Sequence, residues 1–128
     1  METERKTPIL YIDDDPENLL GFKLSFSNQF SIYTSKNTEE AYLILKNTII
    51  AVVLVDYKMP VEDGIAFVDR IRHEFPNVVF ILVSAWAEVY FLIKALNMNC
   101  FFGFIQKPWN HLELSQMLQN ASKLFYIK

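Results

Sequence analysis

Five short apolar runs alternate with five segments of helical spacing along this chain, and two of the runs, Ala51 to Val55 and Val78 to Val83, are apolar at every position. A strand with one face in water alternates apolar and polar residues, whereas a strand apolar throughout is covered on both faces. Helices supply that cover when the strands run parallel, because right-handed crossovers lay them on both sides of the sheet. The other runs, Ile9 to Ile12, Phe30 to Thr34 and Phe101 to Ile105, are also rich in aliphatic, β-branched and aromatic residues. The pattern predicts an α/β chain of five βα units, a three-layer sandwich around a parallel five-stranded sheet. Helices are expected to begin near Pro16, Thr38, Gly64, Ala87 and Trp109. Pro16 suits a first helical turn, and Asn37 with Glu40 three residues on resembles a capping pair.

At 128 residues the chain is long enough to close one hydrophobic core, so residues 1–128 are read as one domain. A hydrophobic share of 52% against 21% charged residues separates it from disordered chains. The net charge of −3, without a basic cluster, argues against direct nucleic-acid binding, which needs a positive footprint. Cys100 is the only cysteine, so neither an intrachain disulfide nor a zinc ribbon can form, a usage suited to a reducing compartment. Met1 to Pro8 is polar and charged rather than a signal peptide, and the apolar runs fall far short of the roughly 20 residues of a membrane span. A cytoplasmic protein is expected. The last helix ends in Leu124-Phe125-Tyr126-Ile127-Lys128 without a cap, as expected of the N-terminal part of a longer regulator.

In a parallel α/β sheet, functional residues collect at the carboxyl ends of the strands. Strand one runs into Asp13-Asp14-Asp15, strand three into Asp56, strand four into Ser84 and strand five into Lys107-Pro108, while strand two ends in nothing distinctive. Carboxylates that converge in one cleft repel each other unless a cation sits between them. Magnesium, which favours a few carboxylate oxygens, a carbonyl and retained waters, matches Asp14, Asp56 and a nearby backbone oxygen better than zinc does. Lys107 adds a point charge for an anion. A cation, a lysine and a hydroxyl around one carboxylate are the parts that phosphoryl transfer uses, with Asp56 as the nucleophile. Asp15, directly before Pro16, reads instead as a helix cap and is left out of the site.

Ile12-Asp13-Asp14, Asp56-Tyr57-Lys58-Met59-Pro60-Val61-Glu62-Asp63-Gly64, Ser84-Ala85 and Lys107-Pro108-Trp109 together resemble the response-regulator receiver family over nearly the whole chain. The resemblance implies a flavodoxin-like (βα)5 fold with strand order 2-1-3-4-5. It implies that Asp56 accepts a phosphoryl group from the phosphohistidine of a sensor histidine kinase or phosphotransfer protein. Asp14, Asp56 and the backbone carbonyl of Lys58 would bind Mg2+, and Asp13 would hold a metal-bound water. Lys107, through a cis bond to Pro108, would pair with the phosphoryl oxygens. Ser84 would donate its hydroxyl to them, and Phe104 would be the switch aromatic that swings inward in response. The family often has tyrosine at this switch position, so phenylalanine is expected to loosen the coupling. Where the family often has glycine before strand five, Asn97 and Asn99 stand here, and asparagine tolerates positive φ.

Two further expectations come from the residues. Lys58 and Trp86, each two residues after a site residue, would overhang the phosphoryl group and lengthen its lifetime. The fourth helix, read as Ala87 to Met98, is apolar on more faces than a sheet contact can bury, so with Phe101, Phe102 and the fifth helix it would form a homodimer or effector surface. His73 and His111 read as solvated surface. A dehalogenase-type phosphatase would need an acid where Lys58 stands, and scattered Gly21, Gly64 and Gly103 build no dinucleotide-binding loop. The chain is thus expected to be a switch rather than an enzyme, its rival reading being a pseudo-receiver that docks proteins without accepting phosphate.

Overall fold

The computed structural model describes residues 5–85 and 90–127. Five strands and five helices alternate: β1 Pro8–Ile12, α1 Pro16–Phe26, β2 Ser31–Ser35, α2 Thr38–Asn47, β3 Val52–Asp56, α3 Gly64–Ile71, β4 Val79–Ala85, α4 Leu92–Met98, β5 Phe101–Lys107 and α5 His111–Ile127. All neighbouring strands are parallel, in the order β2-β1-β3-β4-β5, so the predicted three-layer sandwich is present.

The alternation of side chains along each strand divides the core in two. Val52 and Leu54 of β3 join Phe22 and Phe26 of α1 and Leu114 and Leu118 of α5 on one face. Val53 and Val55 join Ala41 and Leu45 of α2, Ile65, Phe67, Val68 and Ile71 of α3 and Ala95 of α4 on the other. Every residue of β3 is buried. Each such aliphatic side chain contributes on the order of 2 kcal/mol of transfer free energy, which makes this central strand the anchor of both layers.

Local chemistry sets the helix starts. Asp15 Oδ1 accepts from the Glu17 amide at 2.9 Å with Pro16 in the first turn, Asn37 Oδ1 accepts from the Glu40 amide at 2.8 Å, and Asp63 Oδ1 accepts from the Ala66 amide at 2.8 Å. Asp15 is thus the cap that its place before proline suggests. The fifth helix, expected near Trp109, begins at His111, where Asn110 Oδ1 accepts from the Glu113 amide at 2.9 Å. The described part of the fourth helix begins at Leu92, behind a short turn at Tyr90 and Phe91, and the start expected at Ala87 lies outside the described residues.

The last two strands run beyond their apolar stretches. Ser84 pairs with Gln106 and Ala85 with Lys107, since ladder bonds need only backbone groups and polar side chains are welcome at the sheet's edge. Between Phe80 and Ile81 the register slips, and Phe102 is the extra residue. Asn99 caps α4 in the left-handed region at φ 54°, as expected of asparagine, while Asn97 stays within the helix. His73 is exposed. His111 is exposed too but not simply solvated, for its ring lies flat on Phe26, 4.7 Å between centroids and 11° between planes.

Candidate functional site

β1, β3, β4 and β5 all end at one edge of the sheet, and their pairing brings Asp13, Asp56, Ser84 and Lys107 to it. Asp13, the first residue after β1, is anchored by its amide, which donates to the Ser35 carbonyl at 3.1 Å. Asp56 is the last residue of β3 and pairs with Val83 of β4. Asp13, Asp56 and Ser84 are buried, whereas Asp14 is exposed at the mouth. Carboxylate oxygens of Asp13, Asp14 and Asp56 all lie within 4.8 Å of one another.

Lys107 closes the group. Its Nζ lies 2.9 Å from Asp13 Oδ2 and 3.0 Å from Asp56 Oδ1. Asp13 has three further donors: the Tyr11 hydroxyl at 2.5 Å and Asn18 Nδ2 at 3.1 Å, both to Oδ2, and the Asp15 amide at 2.9 Å to Oδ1. Burial alone would push the Asp13 carboxyl up, but the Tyr11 hydroxyl, the Asp15 amide and the Lys107 amine outweigh it and hold the group below the usual carboxylate range. Burial likewise works against the Lys107 charge, and the hydrogen bonds to Asp13 and Asp56 reverse its effect, so the amine is held above its ordinary value. Burial, and then the hydrogen bond to Asp13, push the Tyr11 hydroxyl well above the range of a free phenol.

The loop after β3 is fastened at both ends. The Tyr57 amide donates to the Val83 carbonyl at 2.7 Å, and the Gly64 amide donates to the Tyr57 carbonyl at 2.8 Å. A Cβ on Gly64 would overlap the Asp56 carbonyl oxygen, so only glycine lets α3 start this close to the end of β3. Glu62 forms a two-point ion pair with Arg70, at 2.8 and 2.9 Å. Val61, fully exposed, takes a left-handed φ of 72° that a β-branched residue rarely adopts. The Tyr57 ring stacks on Phe91 at 5.1 Å, tying this loop to the approach to α4.

Of the residues singled out from the sequence, Asp13, Asp14, Asp56 and Lys107 meet in one cluster. Ser84 is buried on the neighbouring strand, Phe104 is partly buried against the second core beside Phe101, and Lys58 is exposed in the loop after Asp56. Trp86 lies outside the described residues. Tyr11 and Asn18 escaped the sequence reading. Tyr11 stands two residues before Asp13, hence on the same side of the strand, and a buried tyrosine hydroxyl seeks a partner. Strand two also ends less plainly than expected: Ser35 is buried, its hydroxyl donates to the Asn37 carbonyl at 2.6 Å, and its own carbonyl holds the Asp13 amide.

Among the described residues no helix is long and apolar enough to cross a membrane. The family model for the response regulator receiver domain matches residues 9–119. The chain is 30% identical over 121 residues to the regulatory protein AtoC of Escherichia coli, covering 94% of this chain and 26% of that protein. It is 27% identical over 120 residues to the hydrogenase transcriptional regulatory protein HoxA of Bradyrhizobium diazoefficiens, covering 94% of this chain and 25% of that one. The chain thus spans about a quarter of the length of these curated relatives. A response regulator receiver domain protein from Clostridium thermocellum superposes with a TM-score of 0.83 at 25% identity, over 91% of this chain and 94% of its own. With its sheet order, its acidic cluster and a family match over most of its length, the chain belongs to the response regulator receiver domain family of two-component systems.

Proposed function

We propose that this receiver domain is a phosphoacceptor switch, with Asp56 as the group modified. The observation that carries the reading is the convergence of the buried Asp13 and Asp56 on the Lys107 amine, next to the exposed Asp14. Paired buried carboxylates are costly, and a site that holds them at the open edge of a sheet invites a second cation. The donor set is all oxygen, which suits Mg2+. Asp14, Asp56 and the Lys58 carbonyl would hold the ion and Asp13 would reach it through water. When bound, the ion supplies charge neutralisation for the incoming phosphoryl group.

An Asp56 carboxylate oxygen attacks phosphorus as the bond from phosphorus to the donor's histidine nitrogen breaks, and the electron pair of that bond stays on the imidazole. Lys107 then turns from the carboxylates toward the phosphoryl oxygens, at a distance an amine on four methylenes can adjust. The Ser84 hydroxyl donates to the same oxygens, and Phe104 follows into the space it leaves. The partner is a sensor histidine kinase or phosphotransfer protein. Lys58, exposed beside the nucleophile, together with Trp86, slows the attacking water and so extends the phosphorylated state. The switched face comprises α4, β5 and α5, where Tyr90, Phe91, Ile93, Leu96 and Phe102 are exposed. Apolar surface of that kind suits a second copy or an effector.

Intact-mass measurement after incubation with acetyl phosphate and Mg2+ tests the proposal. Gain of one phosphoryl group that requires both the metal and Asp56, and is absent in Asp56→Asn, is the expected result. If neither that gain nor binding of beryllofluoride is seen, the docking-module reading takes its place.

A further inference from the structure

Strand β2 is the outer strand of the sheet and pairs on one side only, with β1. Its Ser31 amide donates to the Thr7 carbonyl and its Ser35 carbonyl accepts from the Asp13 amide, so Ser31, Tyr33 and Ser35 are the residues that hold the ladder. Successive peptide groups of a strand face opposite sides, which turns the amides and carbonyls of Ile32 and Thr34 outward, where the sheet has no further strand. An open edge of this kind is ordinarily blunted by a charge, a proline or a bulge. The stretch Ser31-Ile32-Tyr33-Thr34-Ser35 has none of these. Beside its start lies an open groove of about 1100 Å3, lined by Arg5, Lys6 and Lys23 together with Ile49 and Tyr126, and by no aspartate or glutamate among the described residues. Lys6 Nζ is fixed on the Ser27 carbonyl at 2.8 Å, whereas Arg5 and Lys23 are exposed and have no carboxylate partner among the described residues. Lys36 stands exposed directly after the strand's far end. Like charges gathered around one groove repel each other, and an anionic ligand relieves that repulsion.

We propose that the outer edge of β2 and this groove dock an extended acidic segment of a partner protein, which adds to the sheet as one more strand. Ladder bonds to Ile32 and Thr34 supply the attraction common to any strand, and carboxylates facing Arg5, Lys23 and Lys36 select this one. Apolar side chains at alternate positions of the segment have the exposed Ile49 and Tyr126 to cover. A nucleic acid would meet cations here but has no peptide groups with which to continue a ladder, and the chain's net charge of −3 opposes it. A second copy fits poorly, since antiparallel pairing of two β2 strands would bring Lys36 of one copy against the cations of the other. The groove lies at the end of the sheet opposite the acidic cluster, and docking there neither needs nor excludes phosphoacceptor chemistry at Asp56.

The test is an amide-resolved NMR titration of the full chain, with hydrogen exchange, against a probe peptide of about six residues that alternates glutamate and valine. Its counterpart of alternating lysine and valine and a short oligothymidylate run beside it. The acidic peptide is expected to bind and to slow exchange at the Ile32 and Thr34 amides, its counterpart is not, and added salt should weaken the binding. The double variant Arg5→Glu, Lys23→Glu changes exposed positions only, and it is expected to bind the acidic peptide about tenfold less tightly, with thermal melts to establish folding. The protection of Ile32 and Thr34 is read in the wild type and needs no variant. Equal binding of the two peptides, binding of neither, or shifts confined to other faces of the molecule overturns the proposal. Preference for the oligothymidylate, or protection of the same amides that grows with protein concentration alone, assigns the edge to a nucleic acid or to a second copy and overturns it as well.

Discussion

The Lys107 amine lies 3.0 Å from Oδ1 of Asp56, so the protein already balances this buried carboxylate with an internal cation. Lys107→Ala strands Asp56 and Asp13 together without that charge. Because about a quarter of the lysine side chain is exposed, the loss is discounted for screening, and the metal-free protein is expected to lose about 2 kcal/mol. Mg2+ should restore more stability to this variant than to wild type. Denaturant titration with and without the ion checks both statements, and equal metal-dependent gains would falsify the competition between amine and ion.

Alkaline pH acts on the same cluster. Lys107 and Tyr11 both hold their protons more tightly in the folded chain than in the unfolded one. Groups with raised values give stability that is complete below the unfolded value and drains away as pH rises through the folded one. For an ordinary tyrosine or lysine that loss begins near about pH 10. Metal-free protein is therefore expected to melt at progressively lower temperature above that point, and Tyr11→Phe should show a shallower decline.

Gly64→Ala puts a methyl group into the carbonyl oxygen of Asp56. Overpacking of this kind costs about 1–3 kcal/mol, and here the strain falls on the backbone that aims the Asp56 carboxylate. The variant should melt earlier and also take up phosphate from acetyl phosphate more slowly than its stability alone explains. Normal labelling of folded Gly64→Ala would show that the approach of α3 is not needed to orient Asp56.

Two surface positions run the other way. Gly21 sits exposed within α1 with nothing near the space a Cβ would fill, so Gly21→Ala should stabilise the protein by about 1 kcal/mol through helix propensity. Val61 bears left-handed backbone strain without burying its side chain, and Val61→Asn should relieve about 1 kcal/mol. Shifts of the denaturation midpoint at constant slope are the expected signature.

The α4-β5-α5 face gives a prediction about association. Tyr90, Ile93 and Leu96 project from one side of the sandwich, with Phe102 on the edge strand beside them. Sedimentation in the presence of beryllofluoride should show a dimer of this chain, and a monomer would count against self-association through this face. Phe102→Ser and Ile93→Ser should abolish any dimer seen. A dimer untouched by both substitutions would place the contact elsewhere.

Much of this was legible because strand chemistry is local. The uninterrupted apolar runs at β3 and β4 announce a doubly covered sheet, and the residues that follow them fall at its carboxyl edge whatever the details of packing. The helix caps Asp15 and Asn37 act within three residues and so read directly, and Asp63, whose capping of Ala66 the structure shows, is of the same local kind. What stayed hidden depends on how distant segments meet. Tyr11 looks like any strand aromatic until Asp13 folds back over it, Asn18 becomes a donor only through the angle at which α1 leaves β1, and Ser35 matters because β2 lies beside β1. The ring of His111 stacks on Phe26 because α1 and α5 share one face of the sheet. The fifth helix begins two residues past Trp109 because the Asn110 side chain caps it there.

The division of β3 between two cores has a consequence for how this sequence can vary. Val52 and Leu54 point into one layer, and Val53 and Val55 into the other. Exchanging one aliphatic residue for another changes volume slightly and leaves each side chain in its layer. Inserting or deleting one residue upstream within the strand reverses the parity of everything after it, turning the side chain at the end of the strand to the opposite face. Asp56 would then point away from Lys107, however well the rest of the sheet re-formed. Drift in this strand is free in the choice of hydrocarbon and closed to changes of length.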